Sequence, residues 1–334
     1  MAYRIQEGRL GAAFDCAADD ALLRAGLRAG LPLAYECNAG GCGTCKFELL
    51  DGEIVEAWPA APGLSERDRG RRRFLACQSR PASDCRIRMI GRGEAAEAPL
   101  PVRVGATLES VLDLTHDMRE FRFATDRPAA FLPGQYALLS LPGLPSMRAY
   151  SMSNIANDAG EWHFIIRRVR GGAATSLLFD LRPGAPVTLD GPYGRAYLRT
   201  GASRNVVCIA GGSGLSPMIG IARGLDRLGG EPLGSVDFFY GGRSADDICG
   251  EALLRNLPRL GESLRFHPIV SNEDSRWTGR IGMVHELVAD LPKEAFAEAD
   301  FYLAGPPPMA EAVVSLLSRG RAVPADRIHY DRFF

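Results

Sequence analysis

The sequence predicts three folded blocks of different class: an α+β block, an antiparallel Greek-key β-barrel and an α/β parallel sheet. At 334 residues the chain is too long for one ordinary hydrophobic core. Residues 102–200 consist of short apolar strands interrupted by proline and glycine, which indicates a small antiparallel barrel. Residues 201–334 alternate strands with helical stretches, which favours a parallel sheet flanked by helices. We expect the first block at 1–92 and a linker at 93–101.

The composition is typical of a soluble globular protein, with 24% charged and 46% hydrophobic residues. A formal net charge of −1 gives no reason to expect nucleic acid or an anionic membrane as a partner. No apolar run approaches the roughly 20 residues of a membrane-spanning helix, and "MAYRIQEGRL" lacks the apolar core of a signal peptide. We therefore expect a cytoplasmic protein, and we also expect a monomer. Eight cysteines in such a chain indicate metal binding or catalysis for some of them rather than disulfides.

The first block opens with a short strand and the helical stretch "DDALLRAGLRAG". Asp19 or Asp20 is predicted to cap this helix, and Gly30 with Pro32 to end it. "KFELLDGEIVE" then predicts two strands about an Asp51-Gly52 turn.

Three cysteines between these elements carry the strongest chemical signal. Cys37, Cys42 and Cys45 have the spacing C-x4-C-x2-C, and 31 residues separate Cys45 from Cys77. This is the plant-type spacing for a [2Fe–2S] cluster held by four thiolates. The glycines of "NAGGCGTC" leave room for backbone N–H groups to approach the cluster sulfurs. A zinc site is the alternative, although it would more often show two C-x2-C pairs. The remaining cysteines are expected to be structural: Cys16, Cys85, Cys208 and Cys249.

Residues 1–92 resemble plant-type ferredoxin domains, which implies a β-grasp fold and the four ligands Cys37, Cys42, Cys45 and Cys77. This block holds 14 lysines and arginines against 12 acidic residues, a net charge of +2. Free plant ferredoxins are strongly acidic, so the docking surface here is expected to differ.

The middle block contains "RAYSMSN" at 148–154. Arg148 offers a fixed cation for a diphosphate, Tyr150 an aromatic wall for an isoalloxazine ring, and Ser151 a hydroxyl near its N5. Alone, this pattern also suits a strand edge with a surface arginine. Together with "PGQY" and "GGAAT" (171–175) the block resembles the FAD-binding barrel of the ferredoxin–NADP⁺ reductase superfamily. The resemblance implies a catalytic position for Ser151 and FAD contacts at these residues: Pro133, Gly134, Gln135, Tyr136, Arg148, Ala149, Tyr150, Ser151, Gly172 and Thr175.

The third block begins with "CIAGGSGLSPM", a glycine-rich turn between a strand and a helix that allows close approach to a pyrophosphate. An ordinary turn is the alternative. This segment and "LAGPPPM" resemble the nicotinamide-binding motifs of the same superfamily, except that Ala304 replaces the usual cysteine. The resemblance implies NAD contacts at these residues: Gly211, Gly212, Ser213, Gly214, Pro217, Gly305 and Pro306.

Charge near the adenosine ribose is expected to decide between the two nicotinamide coenzymes. Arg243 suits a 2′-phosphate and is predicted to contact the coenzyme, whereas Asp246 and Asp247 would repel that phosphate and could accept from a 2′-hydroxyl. With one basic residue in view, the sequence favours NADH.

The chain ends with "IHYDRFF". Members of the superfamily often end in an aromatic residue that stacks on the flavin. The resemblance therefore implies that Phe333 is an FAD-binding and catalytic residue, with Phe334 as the second choice. An apolar C-terminal strand is the alternative.

The three blocks form a series of electron carriers, since flavin converts the two-electron hydride of NADH into the single electrons that a [2Fe–2S] cluster accepts. The domain order resembles the NADH-dependent reductase components of bacterial multicomponent oxygenases, most like those of toluene-type aromatic monooxygenases. The implied partner is a Rieske-type ferredoxin or the oxygenase hydroxylase. A ring-hydroxylating dioxygenase, a phenol or alkene monooxygenase, or a deoxysugar dehydratase could be the system served. A redox sensor or a zinc-stapled binding module is the alternative from another class.

Overall fold

The computed structural model describes residues 1–93, 98–144, 146–200, 205–228 and 234–331. Contacts divide the chain into two compact units, with Met1–Val102 in one and Arg103–Tyr330 forming the other. The predicted flavin-stacking residues Phe333 and Phe334 lie outside the described residues, as does part of the predicted linker.

The first unit is an α+β fold in which a mixed sheet packs against a short helix. Its elements are β1 (Ala2–Glu7), β2 (Ala12–Ala17), α1 (Leu22–Arg28), β3 (Lys46–Asp51), β4 (Ile54–Glu56), α2 (Glu66–Arg69), β5 (Arg73–Leu75), β6 (Ser79–Pro81) and β7 (Cys85–Met89). The sheet order is β2–β1–β7–β3–β5, with β1 and β7 parallel and the other neighbours antiparallel. Leu22 and Leu23 of α1 are fully buried against Phe47 and Ile87 of the sheet. This is the β-grasp arrangement that the resemblance implied, and it is confirmed.

Of two local predictions for this unit, the helix cap is wrong and the two strands about the Asp51-Gly52 turn are confirmed. Neither Asp19 nor Asp20 is the N-cap of α1: that position is held by Ala21, which makes no side-chain cap. Asp20 is instead buried and forms ion pairs with Arg24 and Arg28. Burying an unpaired carboxylate costs more free energy than leaving a helix end without a side-chain cap, so the ion pairs are preferred. The strands β3 and β4 do flank the Asp51-Gly52 turn, but they are not partners, since β4 pairs with β6 in a separate small sheet.

The second unit begins with an antiparallel barrel. Its elements are β8 (Val102–Asp113), β9 (Met118–Thr125), β10 (Tyr136–Ser140), β11 (Arg148–Ser151), β12 (Glu161–Arg167), α3 (Ala173–Asp180) and β13 (Pro186–Tyr193). The strand order is β11–β10–β13–β8–β9–β12, and a bridge between Met152 and Phe164 joins the two outer strands into a closed barrel. Inward-facing aromatic residues fill the interior, among them Phe121, Phe123 and Trp162. The barrel predicted from the proline- and glycine-broken strands is confirmed.

A parallel sheet with helices on its faces completes the second unit. Its elements are β14 (Val206–Gly211), a 3₁₀ turn (Gly212–Gly214), α4 (Leu215–Leu228), β15 (Val236–Gly242), a 3₁₀ turn (Ala245–Asp247), α5 (Glu251–Arg255), a 3₁₀ turn (Gly261–Ser263), β16 (Leu264–Val270), α6 (Val284–Ala289), α7 (Lys293–Glu298), β17 (Asp300–Ala304), α8 (Pro307–Ser315) with a π-helical end (Leu316–Gly320), a 3₁₀ turn (Ala325–Arg327) and β18 (Ile328–His329). In the sheet order β16–β15–β14–β17–β18, strands β15 and β16 lie on one side of β14, and the later strands β17 and β18 lie on the other side. The strand order therefore reverses between β14 and β17, which is where open α/β sheets bind their ligands.

Helix α4 packs closely on the barrel through two glycines. A Cβ atom built on Gly220 would lie 2.8 Å from the carbonyl oxygen of Met152, and one on Gly224 would lie 2.6 Å from the ring of Pro133. Larger side chains would push the helix off the barrel, so these glycines hold the sheet and the barrel together.

Among the described residues, no helix has both the length and the apolar character needed to cross a lipid bilayer.

Candidate electron-transfer site

The four predicted cluster cysteines meet in one place of the first unit. Cys37, Cys42 and Cys45 lie on the loop between α1 and β3, and Cys77 follows β5. Three of the four are buried, whereas Cys42 is partly exposed. The loop turns its backbone N–H groups towards sulfur: the amides of Ala39 and Cys42 each lie 3.4 Å from the Cys37 Sγ. These donors would stabilise thiolate ligands.

The sulfurs form two pairs rather than one compact group of four. Cys37 hydrogen-bonds to Cys42, and Cys45 to Cys77. The bond from Cys37 lowers the pKa of the Cys42 thiol to about 5. A single tetrahedral zinc would place all four sulfurs within about 3.8 Å of one another, given Zn–S bonds near 2.3 Å. In the described part of the chain, no three of these sulfurs lie within 4.8 Å of one another. Two pairs suit a two-iron cluster.

The backbone of the loop also fits a cluster. Gly40 and Gly43 have φ values of +91° and +76°, a conformation that other residues adopt only with strain. The side-chain amide of Asn38 is buried, and neither its nitrogen nor its oxygen has a hydrogen-bond partner among the described residues. Buried polar groups are rarely left unpaired, so a further acceptor such as a sulfide suits this position. Asn38 was not predicted from the sequence, where its only signal is its place between the cysteines.

The predicted flavin residues Arg148, Tyr150 and Ser151 lie on β11, opposite β10. Arg148 is exposed and Tyr150 is half-buried. Burial raises the pKa of the Tyr150 phenol to about 12, so it stays a neutral hydroxyl near neutral pH. Ser151 is nearly buried, and its hydroxyl makes no hydrogen bond within the described residues. A cation, an aromatic face and a free hydroxyl therefore follow one another along one strand, as a flavin with its diphosphate requires.

The start of α3 lies near the same strand, because Tyr150 packs against the core to which Ala174 and Leu178 belong. The first N–H groups of a helix lack intrahelical acceptors and favour a phosphate. Thr175, predicted as an FAD contact, accepts from the Val169 amide at 3.1 Å and donates to the Gly172 carbonyl at 3.2 Å. Its hydroxyl thus holds the turn that begins the helix.

The "PGQY" residues lie between the barrel and α4. The Gln135 side chain is buried and accepts from the Leu132 amide at 2.8 Å, and Tyr136 is fully buried. Pro133 contacts the α4 glycine described above. A Cβ atom on Gly134 would lie 2.5 Å from the Ala196 carbonyl oxygen. In this structure the four residues shape the barrel wall behind β11.

The two predicted nicotinamide motifs meet at the carboxyl ends of β14 and β17, which are adjacent parallel strands. A Cβ atom on Gly211 would lie 2.5 Å from the Met309 sulfur, and one on Gly305 would lie 2.6 Å from the same side chain. The tightest position is Gly214, where a Cβ atom would lie 2.0 Å from the Ala304 carbonyl oxygen. The glycines therefore let two loops close on each other and form a crevice at the point where the strand order reverses.

The crevice has an accessible rim. Ser213 and Pro306 are exposed, and Gly214 and Gly305 are half-exposed, whereas Gly212 is buried. Pro217 is buried within α4 and directs no side chain to this rim. A dinucleotide would contact the exposed backbone of both loops.

Arg243, at the end of β15, belongs to an ionic network between the barrel and the sheet. Its guanidinium lies 3.2 Å from Asp117 and 3.2 Å from Asp247. Arg167 of β12 also binds Asp117, at 2.8 Å, and Asp247. Among the described residues, Asp117, Asp247 and His116 form the only group of three potential metal ligands whose ligand atoms all lie within 4.8 Å of one another, but both carboxylates are neutralised by arginines.

Two residues that position the sites, Ser216 and Arg167, were not predicted from the sequence. The Ser216 hydroxyl donates to the Ser151 carbonyl at 2.7 Å and accepts from the Ile165 amide at 2.9 Å. It thereby ties α4 to both outer barrel strands. Arg167 lies 3.1 Å from a Cβ built on Gly212 and so lines the nucleotide turn. Both act through partners more than 40 residues away in sequence, which no local pattern shows.

Comparison with known families places all three blocks. Residues 5–82 match the 2Fe-2S iron-sulfur cluster binding domain, residues 105–197 the oxidoreductase FAD-binding domain, and residues 208–315 the oxidoreductase NAD-binding domain. The matches occur in the order predicted from the motifs.

Relatives and solved structures extend the likeness over the whole chain. The chain is 41% identical to the ferredoxin–NAD(P)⁺ reductase of Metapseudomonas resinovorans, with 96% of each chain covered. It is 39% identical to the ferredoxin–NAD⁺ reductase component of the alkene monooxygenase system of Xanthobacter autotrophicus, with 99% of each covered. The solved ferredoxin reductase in carbazole 1,9a-dioxygenase superposes with a TM-score of 0.91 at 39% identity, covering 100% of this chain and 99% of that one. The chain therefore belongs to the family of ferredoxin–NAD(P)⁺ reductases that act as reductase components of multicomponent oxygenases, in which electrons pass from NAD(P)H through FAD and a 2Fe-2S cluster.

Proposed function

We propose that this reductase takes electrons from NADH and delivers them singly to a separate ferredoxin of an aromatic-hydrocarbon oxygenase system. The proposal depends on two features found in one chain. One unit contains the two cysteine pairs. The other contains strand β11, predicted to bind flavin, beside the crevice predicted to bind a dinucleotide. When bound, FAD converts a two-electron donor into a one-electron donor. The chain's own residues bind and orient the groups between which the electrons move.

The geometry of the described residues supports the following assignments. The Cys37–Cys42 and Cys45–Cys77 pairs would each hold one iron. Tyr150 would cover one face of the flavin, and the hydroxyl of Ser151, free in the described chain, would bond to its ring. The crevice loops at 211–214 and 305–306 would hold the pyrophosphate and nicotinamide of the coenzyme. The domains proposed are 1–92, 102–200 and 201–334, in a monomeric cytoplasmic protein.

Arg148 is expected to neutralise the FAD diphosphate. Its guanidinium donates to Ser146 at 2.6 Å and to the Met147 carbonyl at 3.1 Å, which leaves further N–H groups for a phosphate. Arg148→Glu should raise the FAD dissociation constant at least about tenfold, since a charge-assisted hydrogen bond contributes roughly 1.5–3 kcal/mol. Release of FAD fluorescence on dilution measures this. Arg182→Glu, an exposed arginine just after the other end of α3, is the matched control, and equal FAD loss in both variants would contradict the assignment.

The choice of NADH is supported by the charges beside β15. Asp246 is engaged by Arg276 at 2.9 and 2.8 Å, and Arg276 also contacts Asp274. Arg243 is likewise committed to Asp117 and Asp247. The basic side chains near the expected ribose thus already have carboxylate partners, which makes a 2′-phosphate unfavourable there.

A ferredoxin is favoured as acceptor because the two relatives with 39–41% identity are named ferredoxin reductases. Direct transfer to an oxygenase is the second candidate. A further relative, 32% identical over 100% of this chain, is named as the phenol hydroxylase P5 protein of Acinetobacter pittii, a name that mentions a hydroxylase and no ferredoxin. The sequence motifs favour a toluene-type monooxygenase as the system served. The relatives named for alkene, phenol and carbazole oxygenases add those systems to the candidates.

An anaerobic NADH titration of the purified protein tests the relay. Bleaching of the flavin and cluster bands should saturate at about three electrons per chain, two for the flavin and one for the cluster. NADPH should reach the same end point at a rate at least tenfold lower. A visible spectrum with flavin but no cluster, or one that NADH does not change, would refute the relay. Negligible turnover with ferricyanide would instead support a redox sensor.

A further inference from the structure

An exposed apolar segment lies beside the cluster loop, and nothing in the relay described above uses it. Residues 57–63, "AWPAAPG", carry no charged side chain. Trp58 is 41% exposed, and Pro59, Ala60 and Pro62 are also exposed. A tryptophan and several prolines thus present apolar surface to solvent, which is more typical of a protein-binding site than of an ordinary polar surface loop. We call residues 57–63 the Trp58 segment.

The Trp58 segment is packed directly on the cluster loop. The amide of Gly63 donates to the carbonyl of Gly40 at 3.0 Å. A Cβ atom on Gly40 would lie 3.1 Å from the Trp58 ring, and one on Gly63 would lie 2.8 Å from the Gly43 nitrogen. The neighbouring residues 41–44, which include Cys42, are half-exposed. A protein bound to Trp58 would therefore touch the outermost part of the cluster loop.

A basic segment borders this apolar surface. Residues 66–73, "ERDRGRRR", follow almost directly and contain five arginines against Glu66 and Asp68, a net charge of +3. The Arg69 guanidinium donates to the Ala61 carbonyl at 3.4 Å, which fixes this segment beside the Trp58 segment. Arg71 and Arg72 are exposed. Tryptophan and arginine are the residues enriched in binding hot spots, and an apolar centre with a charged rim is the usual anatomy of an interface.

A separate protein needs such a surface more than the tethered flavin unit does. Two parts of one chain meet at an effective concentration in the millimolar range when the linker is short, so their contact requires little intrinsic affinity. A diffusing acceptor must obtain its affinity from the surface itself and its encounter rate from opposite charge. The net charge of +2 on residues 1–92 also suits an acidic partner.

We infer that the Trp58 segment and the arginines of 66–73 form the docking surface for a ferredoxin that presents an apolar patch rimmed by carboxylates. This inference rests on the proposed function, in which a ferredoxin is the acceptor. In each encounter a single electron would pass from the cluster that Cys37, Cys42, Cys45 and Cys77 would hold to the cluster of the ferredoxin, so that the first is oxidised and the second reduced by one electron. The charges balance without proton transfer.

The test uses the full-length holoprotein with two acceptors, ferricyanide and the ferredoxin of the carbazole 1,9a-dioxygenase system. Trp58→Ala should raise the KM for the ferredoxin at least tenfold, and Trp58→Phe should raise it less. Arg71→Glu should also raise KM and weaken its dependence on salt. Ferricyanide reduction and the cluster spectrum should stay within twofold of the wild type. Leu10→Ala is the matched control, since Leu10 is 43% exposed but lies in the turn between β1 and β2, at the opposite edge of the sheet from β5 and its arginines.

Three results would overturn the inference. A ferredoxin KM within twofold of the wild type for Trp58→Ala would show that the segment does not dock the acceptor. A slowed flavin-to-cluster step in single-turnover reduction would assign the segment to the contact within the chain. A wild-type protein that reduces its own cluster but no ferredoxin would remove the ferredoxin as partner. That last outcome would leave the internal relay standing, so the two proposals fail separately.

Discussion

Replacing Cys42 with serine is expected to lower cytochrome c reduction by at least about 100-fold while NADH-dependent ferricyanide reduction stays near the wild-type rate. Cys42 is the partly exposed member of the Cys37–Cys42 pair, and Cys37 lowers the pKa of its thiol. A serine hydroxyl does not ionise near neutral pH and is a poor ligand for iron, so the cluster should be lost or altered. Ferricyanide takes electrons from the flavin and bypasses the cluster.

The matched control for this experiment is Cys85→Ser in the same unit. Cys85 is buried outside the ligand pattern, and its sulfur contacts the Glu53 carbonyl at 3.3 Å, a contact that a serine hydroxyl can keep. Its cytochrome c rate should stay within a factor of a few of the wild type. Loss of both activities in Cys42→Ser would show that the flavin and cluster roles are wrongly divided between the units. An unchanged visible spectrum would show that Cys42 is not a ligand.

The second large effect is expected for Gly214→Ala. The new methyl group would lie 2.0 Å from the Ala304 oxygen and 2.9 Å from the Gly305 nitrogen, and both are backbone atoms that cannot rotate away. The two crevice loops must separate, so kcat/KM for NADH should fall at least about 100-fold. Overpacking of this kind typically costs 1–3 kcal/mol of stability as well. Stopped-flow reduction by NADH and thermal unfolding measure the two effects.

Gly105→Ala is the control, because Gly105 lies on β8 and a Cβ atom there would meet nothing within 4 Å. Dithionite should reduce the flavin and the cluster in both variants, since it does not need the crevice. Wild-type NADH kinetics in Gly214→Ala would mean that the coenzyme does not bind at this crevice. Failure of dithionite reduction in Gly214→Ala alone would mean that the flavin site, rather than the coenzyme site, was damaged.

The cluster site was largely predictable from sequence because its chemistry is local. Three ligands fall within nine positions, from Cys37 to Cys45, and the glycines that allow the loop conformation lie between them. The pairing of Cys45 with Cys77, and the orphaned amide of Asn38, needed the folded chain. The contact between Cys45 and Cys77 depends on where β5 places Cys77 in the folded chain, and the distance between two such positions cannot be read from the sequence.

The crevice predicted to bind the nicotinamide coenzyme could be predicted only in part. Both motifs could be recognised separately, but Gly211 and Gly305 are 94 positions apart and meet only because β14 and β17 are neighbours in the sheet. The same limit explains the error at Asp20, where two arginines one and two turns along α1 proved stronger than the cap. Local rules describe what a residue can do near itself, whereas burial decides which of its options is used.

Sequence alone was enough to predict the order of the three domains, the four cysteines proposed as cluster ligands and the glycines that allow close backbone approach, because these depend on residue type and short spacing. Three features are visible only in the folded chain: the division of these cysteines into pairs, the contacts by which Ser216 and Arg167 tie the barrel to the sheet, and the exposure of the Trp58 segment beside the cluster loop. These features arise from contacts between distant parts of the chain. Such contacts form when the sheet order and the packing of buried side chains are set, and no short stretch of sequence contains that information.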